Sequence, residues 1–538
     1  MLHIKFFPPE LVMKGLPVMK KILLINPPYP FEEHPSPPFG LMSLAAYLIQ
    51  EGCEVRIEDY IIEHCSIDRY KSIIDEFKPD IVGATAVSMT VKKSLSILKD
   101  YKMIAPGIIT VMGGAHVTFD AAGILNSGVV DFIVRGEGEI TFTELLKTLY
   151  ERKNIAAVNG ISYISEGKVH HTPDRDLIAD INILPYPARH LAALSKYKAM
   201  DLPVNMITSR GCPHSCIFCL GRKMVGKKLR YYDTERVIDE FEMLSRIGFS
   251  QINISDDLFT SNKKRCIAIC NGIISRGINQ AWTAFARVDT IPEDLLYKLK
   301  EAGCTTLCFG IESGNQQILD IVKKKTTLEK CRTAADMCRK AGITPLASYI
   351  LGLPGETEET IMNTLRFARD INMEFGIHIL APFPGTEVRE KSEEYGISIL
   401  TDDWDLYDAN RSVCSTNGIS PGSIDKIVND FYESLKNYMK DAALKKERGE
   451  TISEKDDALL RKAELYNFNM ELVQNKIIEN FSGAESANRE DLINNLSSFI
   501  EEKTGRDSGF VTKEIDRLMK KKCIEVIRKD SGLAICWV

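Results

Sequence analysis

The sequence predicts an α/β protein made of two successive strand–helix series and closed by a mostly helical end. Three observations carry this. Between residues 20 and 155, five strand-length apolar runs alternate with segments of helical periodicity. Between residues 204 and 381 six further runs do the same, and beyond about residue 416 the pattern turns helical. Continuous apolar runs, rather than alternating ones, are what parallel strands covered on both faces require.

Residues 1–18 read as a peripheral extension, because Val18-Met19-Lys20-Lys21 opens directly onto the first strand. That strand is Lys-Ile-Leu-Leu-Ile-Asn at 21–26, and the helix at 40–51 is stopped by Gly52. Residues 54–59, 81–86, 108–112 and 132–135 supply four more strands, with helices at 67–77, 91–104 and 141–152 and a weaker helical segment at 121–127. Five short strands with helical crossovers predict a doubly wound, flavodoxin-like domain over residues 19–157, whose ligands lie outside the strands' carboxyl ends. At those ends Ser88-Met89-Thr90 follow the third strand, Gly113-Gly114-Ala115-His116 the fourth, and Gly136-Glu137-Gly138-Glu139 the fifth. Adjacent glycines let main chain approach a ligand closely. Residues 158–200 read as a linker, with a hairpin at 160–172 turning at Glu166-Gly167-Lys168 and a stiff Leu184-Pro185-Tyr186-Pro187 segment.

The second series, residues 201–415, has strands at 204–208, 251–255, 281–288, 306–311, 345–351 and 376–381. The commonest closed barrel has eight such units. After its first strand comes Arg210-Gly211-Cys212-Pro213-His214-Ser215-Cys216-Ile217-Phe218-Cys219. Cys-x3-Cys-x2-Cys supplies three thiolates where a four-iron cluster normally takes four. Structural zinc takes four ligands, commonly two separated Cys-x2-Cys pairs, and no second pair follows at that spacing. A disulfide framework suits small secreted chains, not 14 cysteines in 538 residues without a signal peptide.

The motif resembles the cluster signature of the radical SAM superfamily, whose core is an open six-unit barrel with its site at the strands' carboxyl ends. The resemblance implies that Cys212, Cys216 and Cys219 hold a [4Fe-4S] cluster whose open iron is chelated by S-adenosylmethionine, with Phe218 near the adenine. On the same face Asp256, Asp257, Arg287, Glu312, Ser313 and Gly355 resemble the family's S-adenosylmethionine contacts. Asp257, Ser313 and Thr357 also precede helices and suit plain capping.

The first domain resembles the cobalamin-binding domain found ahead of many radical SAM barrels. This implies cobalamin contacts from Pro28, Ser88, Thr90, Gly113, Gly114, His116, Gly136 and Glu137. The wider cobalamin-binding family places an axial histidine after the first strand, in Asp-x-His-x-x-Gly. Here Asn26-Pro27-Pro28-Tyr29-Pro30 holds none, and His34 is too far along. A flavodoxin-like domain for another nucleotide is the plain alternative, as is an ordinary loop role for His116.

Together the resemblances imply a cobalamin-dependent radical SAM enzyme that methylates an unactivated carbon through a 5'-deoxyadenosyl radical and methylcobalamin. A cyclase-type, ring-forming enzyme using the same cofactors without methyl transfer is the alternative, and a cobalamin or redox sensor a third reading. They assign no catalytic side chain, and imply a small-molecule or peptide substrate, an external electron donor of flavodoxin or ferredoxin type, and anaerobic working. No three-cysteine domain precedes Cys212, which argues against methylthiolation.

With 44% apolar and 26% charged residues and no apolar run near the roughly 18 needed to span a bilayer, a cytoplasmic protein is expected. A net charge of -6 and a pI near 6.0 argue against a nucleic-acid surface. Lys223, Lys227, Lys228 and Arg230 read as a solvated loop or as a contact to an anionic cofactor or substrate. The pairs Cys266 and Cys270, Cys304 and Cys308, and Cys331 and Cys338 read as small buried hydrophobes rather than a second cluster. Residues 416–538 predict helices at 424–446, 455–480 and 511–521, then strands at 523–528 and 533–538, a winged-helix-like end suited to capping or docking. The 511–521 helix mixes Glu514 and Asp516 with its lysines, unlike a basic recognition helix.

Overall fold

The computed structural model describes residues 20–29, 35–483, 486, 488–529 and 532–538. The expected extension at 1–18, His34 and the Asp530-Ser531 part of the last turn lie outside the described residues. In the first sheet β1 (Lys20–Asn26), β2 (Cys53–Asp59), β3 (Ile81–Thr85), β4 (Ile109–Gly113) and β5 (Phe132–Val134) run parallel in the order β2-β1-β3-β4-β5. Successive connections leave β1 in opposite directions, so a crevice opens beyond the carboxyl ends of β1 and β3. Helices Phe39–Gln50 and Gly138–Tyr150 close one face over Leu24, Val111 and Val134; Ile67–Phe77 and Val91–Ile104 close the other over Leu23, Val82 and Met112.

The hairpin expected in the linker joins this sheet instead. β6 (Ile161–Ser165) pairs antiparallel with β5, and β7 (Lys168–His171) with β6, giving seven strands. Glu166 and Gly167 are left-handed (φ 52° and 73°), as a tight hairpin turn requires. Arg135, one residue past β5, fixes the seam by donating to the carbonyls of Ile161 and Thr172 and to Ser162 Oγ. Periodicity shows that two strands pair, not which edge receives them.

The second sheet contains β8 (Val204–Met206), β11 (Ile252–Ile254), β12 (Trp282–Ala286), β13 (Cys304–Glu312), β14 (Thr344–Leu351) and β15 (Glu374–Ile379), all parallel and in sequential order. It is the open six-unit barrel expected. Between β8 and β11, the short β9 (Ser209–Arg210) and β10 (Arg230–Tyr231) pair antiparallel and form the base of the 211–229 excursion. The core under the outer helices is built on Phe241, Trp282 and Phe309, and Cys266, Cys270, Cys304, Cys331 and Cys338 are buried within it. β16 (Ile397–Ile399) and β17 (Cys414–Thr416) form a small ribbon beyond the barrel.

Helix Pro421–Glu447 lays Ile424 and Val428 on Leu351, Ile377 and Ile379 at the barrel's edge. The expected 455–480 helix is two, Glu454–Gln474 and Ile477–Asn480, broken where Lys476 turns left-handed (φ 50°). Helices Arg489–Thr504 and Ser508–Lys520 and the hairpin β18 (Ile524–Lys529) and β19 (Gly532–Trp537) complete the end. No helix among the described residues is long and apolar enough to cross a membrane.

A six-residue helix, Leu194–Ala199, ties the three parts together. Tyr197 donates to Asp59 Oδ2 in the first domain (2.6 Å), while Lys196 pairs with Glu63 (2.5 Å) and with Glu479 of the C-terminal part (2.8 Å). Lys198 donates to the carbonyls of Ile247 and Lys522, both at 3.0 Å. Burial pushes Asp59 up to about 6, against hydrogen bonds from Tyr197, Asn26 and the Ile61 amide. The folded state therefore holds this proton more tightly than the unfolded chain, and stability should fall as pH rises from about 4 to about 6, by up to about 3 kcal/mol. Urea melts across that window should show the slope in the wild type and a flatter one in Asp59→Asn; equal slopes would count against it.

Candidate active site between the two sheets

The cluster loop leaves β9 through Gly211, whose φ of 117° and close approach to the Lys228 carbonyl leave no room for a Cβ. Inside the loop, Ile217 is fully buried among Ile318, Val322, Leu353 and Val388, and its amide donates to the Val322 carbonyl (3.2 Å). Anchoring Ile217 leaves its neighbours facing outward: Cys212 and Cys216 are half-buried and Cys219 is exposed. The Gly221 amide donates to Cys219 Sγ (3.3 Å). Burial raises the Cys216 thiol, so iron loading would release protons. No three His, Cys, Asp or Glu side chains among the described residues converge on one ion. Thiolates that each bind a different corner of a cubane do not need to.

The charged barrel groups that act on Cys216 include an ion pair. Lys324 Nζ donates to Glu312 Oε1 at 2.6 Å, both residues under 10% exposed. Burial works against the Lys324 ammonium, but Glu312 outweighs it and holds its pKa above the ordinary value. Glu312 sits at a β-bulge of β13 with φ 72°, a strained conformation for a non-glycine residue. Gly310 makes the pair possible, since a Cβ there would collide with the Glu312 carboxylate. Arg287 grips Asp289 through two hydrogen bonds of 3.0 Å and donates to the Lys324 carbonyl at 3.0 Å.

Two other expected S-adenosylmethionine contacts, Asp256 and Ser313, have side chains bonded to neighbouring protein groups. Asp256 is buried and accepts from Thr208 N (2.5 Å), Thr208 Oγ1 (2.6 Å) and Ser209 Oγ (2.6 Å), so its carboxylate pins the strand ends. Ser313 Oγ meets Thr364 Oγ1 (3.1 Å) and accepts from Asn315 N (3.2 Å), a turn role. Asp257 faces the interdomain cavity, Gly355 is exposed with φ 83°, and Phe218 packs beside Ile217. Glu356 follows Gly355 in the stretch after β14. Its Oε2 accepts from the amides of Gly352 (2.7 Å) and Leu353 (3.0 Å), which shapes the 352–355 turn, and burial pushes it up to about 8 against those two hydrogen bonds.

Between the two sheets lies a cavity of about 310 Å³. Leu24, Gly83, Val111 and Val134 form its wall on the first sheet, and Ile207, Arg210, Ser255 and Asp257 close it from the barrel. Gly113, Gly114, Gly136 and Glu137 line it as expected for a ligand at this crevice. Gly114 has φ 105°, and a Cβ on it would stand 2.6 Å from the Ala86 carbonyl, so a side chain here is excluded. A largely apolar slot floored by glycines fits the nucleotide tail of cobalamin. Thr90 lines an adjoining cavity of about 220 Å³, beside Pro27 and Tyr29.

Ser88 and His116 lie behind these loops. His116 lies in the first turn of the short helix Ala115–Phe119 and is buried, with Nδ1 3.0 Å from Ser88 Oγ and its ring edge-on to Trp404 at 4.7 Å. Trp404 belongs to the connection between β16 and β17, which also offers Asp403 to Lys92. His116 therefore serves an interdomain contact rather than the cavity wall, and Pro28 is half-buried between the two cavities' lining residues without joining either set.

Ion pairs among the cavity's lining residues leave little trace in the sequence. Glu137 accepts from Arg210 Nη1 (3.0 Å) and Arg230 Nη1 (2.9 Å), and Glu139 from Arg210 Nη2 (2.7 Å). Arg230, grouped with the exposed lysines in the sequence, is buried here, while Lys227 and Lys228 are exposed. Residues 210–232 carry six Lys or Arg and no Asp or Glu. That imbalance was a signal that acidic partners had to come from elsewhere in the chain.

A doubly wound domain with a glycine-floored crevice, facing an open six-unit barrel that presents three outward cysteines, defines an enzyme with two cofactor sites on one seam. The radical SAM superfamily model matches residues 206–368 and the B12 binding domain model residues 33–146. The chain belongs to the radical SAM superfamily, as a cobalamin-binding member using a [4Fe-4S] cluster, S-adenosylmethionine and cobalamin. It is 35% identical over 424 residues to a protein of Pyrococcus horikoshii named as an uncharacterized methyltransferase, covering 77% of this chain and 92% of that one. It is 31% identical over 413 residues to an anaerobic magnesium-protoporphyrin IX monomethyl ester cyclase of Rubrivivax gelatinosus, covering 73% of each. In fold it is similar to the cobalamin-dependent S-adenosylmethionine radical enzyme OxsB, with a TM-score of 0.67, 19% identity, and 93% of this chain and 80% of that one covered.

Proposed function

We propose that this enzyme transfers a methyl group to an unactivated carbon of a small-molecule or peptide substrate. The observation that carries the reading is the shared seam: the glycine-floored cavity and the cluster loop meet at Arg210, so both cofactors address one space above the barrel. When bound, the cluster and S-adenosylmethionine supply a carbon-centred radical and cobalamin carries the methyl group. The chain's own residues hold and orient. Cys212, Cys216 and Cys219 ligate iron; Lys324 receives the methionine carboxylate and Glu312 the amino group, each charge already held in place by the other. Asp257 and the 352–355 turn flank the nucleoside. The lumen-facing positions of the strands, among them Thr283, Phe285, Cys308, Ile350 and His378, leave room for substrate.

Reduction comes from a one-electron donor protein, which is supported by exposed Cys219 lying in the same loop as exposed Arg222, Lys227 and Lys228. The cyclase-named relative keeps ring formation as the second reading. Product analysis separates them: S-adenosylhomocysteine formed in step with 5'-deoxyadenosine is expected, and 5'-deoxyadenosine alone, with a dehydrogenated or cyclised product, would reject methyl transfer.

A further inference from the structure

Resting on the assignment of the cavity to cobalamin and the loop to the cluster, we propose that Glu137 is a positioning residue, through which occupancy of the cavity fixes the cluster loop. Arg210 and Arg230 are register partners on β9 and β10, one at each end of residues 211–229. Both guanidiniums close on one carboxylate from the other domain: Glu137 Oε1 takes Arg210 Nη1 (3.0 Å) and Arg230 Nη2 (2.9 Å), and Oε2 takes Arg230 Nη1 (2.9 Å) and the Ile178 amide (2.8 Å). Glu139 holds the second Arg210 nitrogen, making a set of two cations and two anions with every side chain at most 11% exposed. Buried pairs of this kind are costly to separate, so the two ends of the loop follow the carboxylate.

Glu137, Glu139 and Arg210 also line the cavity. A ligand there expels water from beside these pairs, lowers the local dielectric and strengthens each of them. That difference between filled and empty states is what a coupling requires. Cys212 lies two residues beyond Arg210, and its amide is tied to the Gly226 carbonyl (3.0 Å), so tightening the stem carries into the loop. By reciprocity, loading the cluster must tighten cobalamin by the same factor. A salt bridge that merely joined the domains would leave the two affinities independent.

The test is an anaerobic absorbance titration with hydroxocobalamin on the full chain, with and without a reconstituted cluster, for wild type and Glu137→Gln. In the wild type the cluster should tighten cobalamin about fivefold or more. In Glu137→Gln both cofactors should still load, with the factor falling towards one. The electron paramagnetic resonance spectrum of the reduced cluster should likewise respond to cobalamin in the wild type and not in the variant. A factor of one in the wild type, or the same factor in both proteins, overturns the proposal. If Glu137→Gln does not fold, Arg230→Lys keeps the charge but loses one of two hydrogen bonds; an unchanged factor there overturns it equally. A wild type that binds no hydroxocobalamin overturns the site assignment, and the latch with it.

Discussion

Cys216→Ala is expected to abolish the iron-dependent visible absorption of the reconstituted protein and, with it, reductive cleavage of S-adenosylmethionine. The motif offers only three thiolates, and losing one leaves two corners of a cubane without protein ligands. Because Cys216 is half-buried on a loop held by its neighbour Ile217, the variant should keep its circular dichroism and lose only about 1 kcal/mol of stability. Loss of fold would make the result uninformative, so Cys219→Ala, at an exposed site, provides the same test on a safer background. An intact charge-transfer band and continued cleavage in both variants would falsify the cluster assignment.

Lys324→Met should produce a large stability loss in the barrel. It strands the Glu312 carboxylate in a buried, strained position, and breaking a buried pair from one side costs about 3–5 kcal/mol. Urea denaturation should show this as a lower midpoint. The double variant Lys324→Met with Glu312→Gln removes both charges and should recover most of the stability. Affinity for S-adenosylmethionine should not recover with it, because the carboxylate and amino groups of the ligand would still lack their partners. A double variant that regains both stability and affinity would show the pair to be structural alone.

The strands and the cluster loop were readable because local pattern determines them. Apolar runs specify parallel strands wherever both faces are covered, and three closely spaced cysteines retain their meaning whatever surrounds them. The roles of single polar residues were less readable. Asp256, Ser313 and His116 each stand near the right strand end, yet their side chains turn to Thr208, Thr364 and Ser88, because a buried polar group must be satisfied by whatever neighbour the packing supplies. Lys324 gave no local sign, since it lies within Lys323-Lys324-Lys325 and only packing selects which lysine is buried.

Periodicity and short-range spacing suffice for the two parallel sheets and for picking out the three cysteines. Tertiary structure alone decided that β6 and β7 extend the first sheet, that helix Leu194–Ala199 joins three domains through buried lysines, and that Glu137 closes on Arg210 and Arg230. Those contacts join residues far apart in the chain. Their energies depend on burial and charge pairing that exist only once the domains have met.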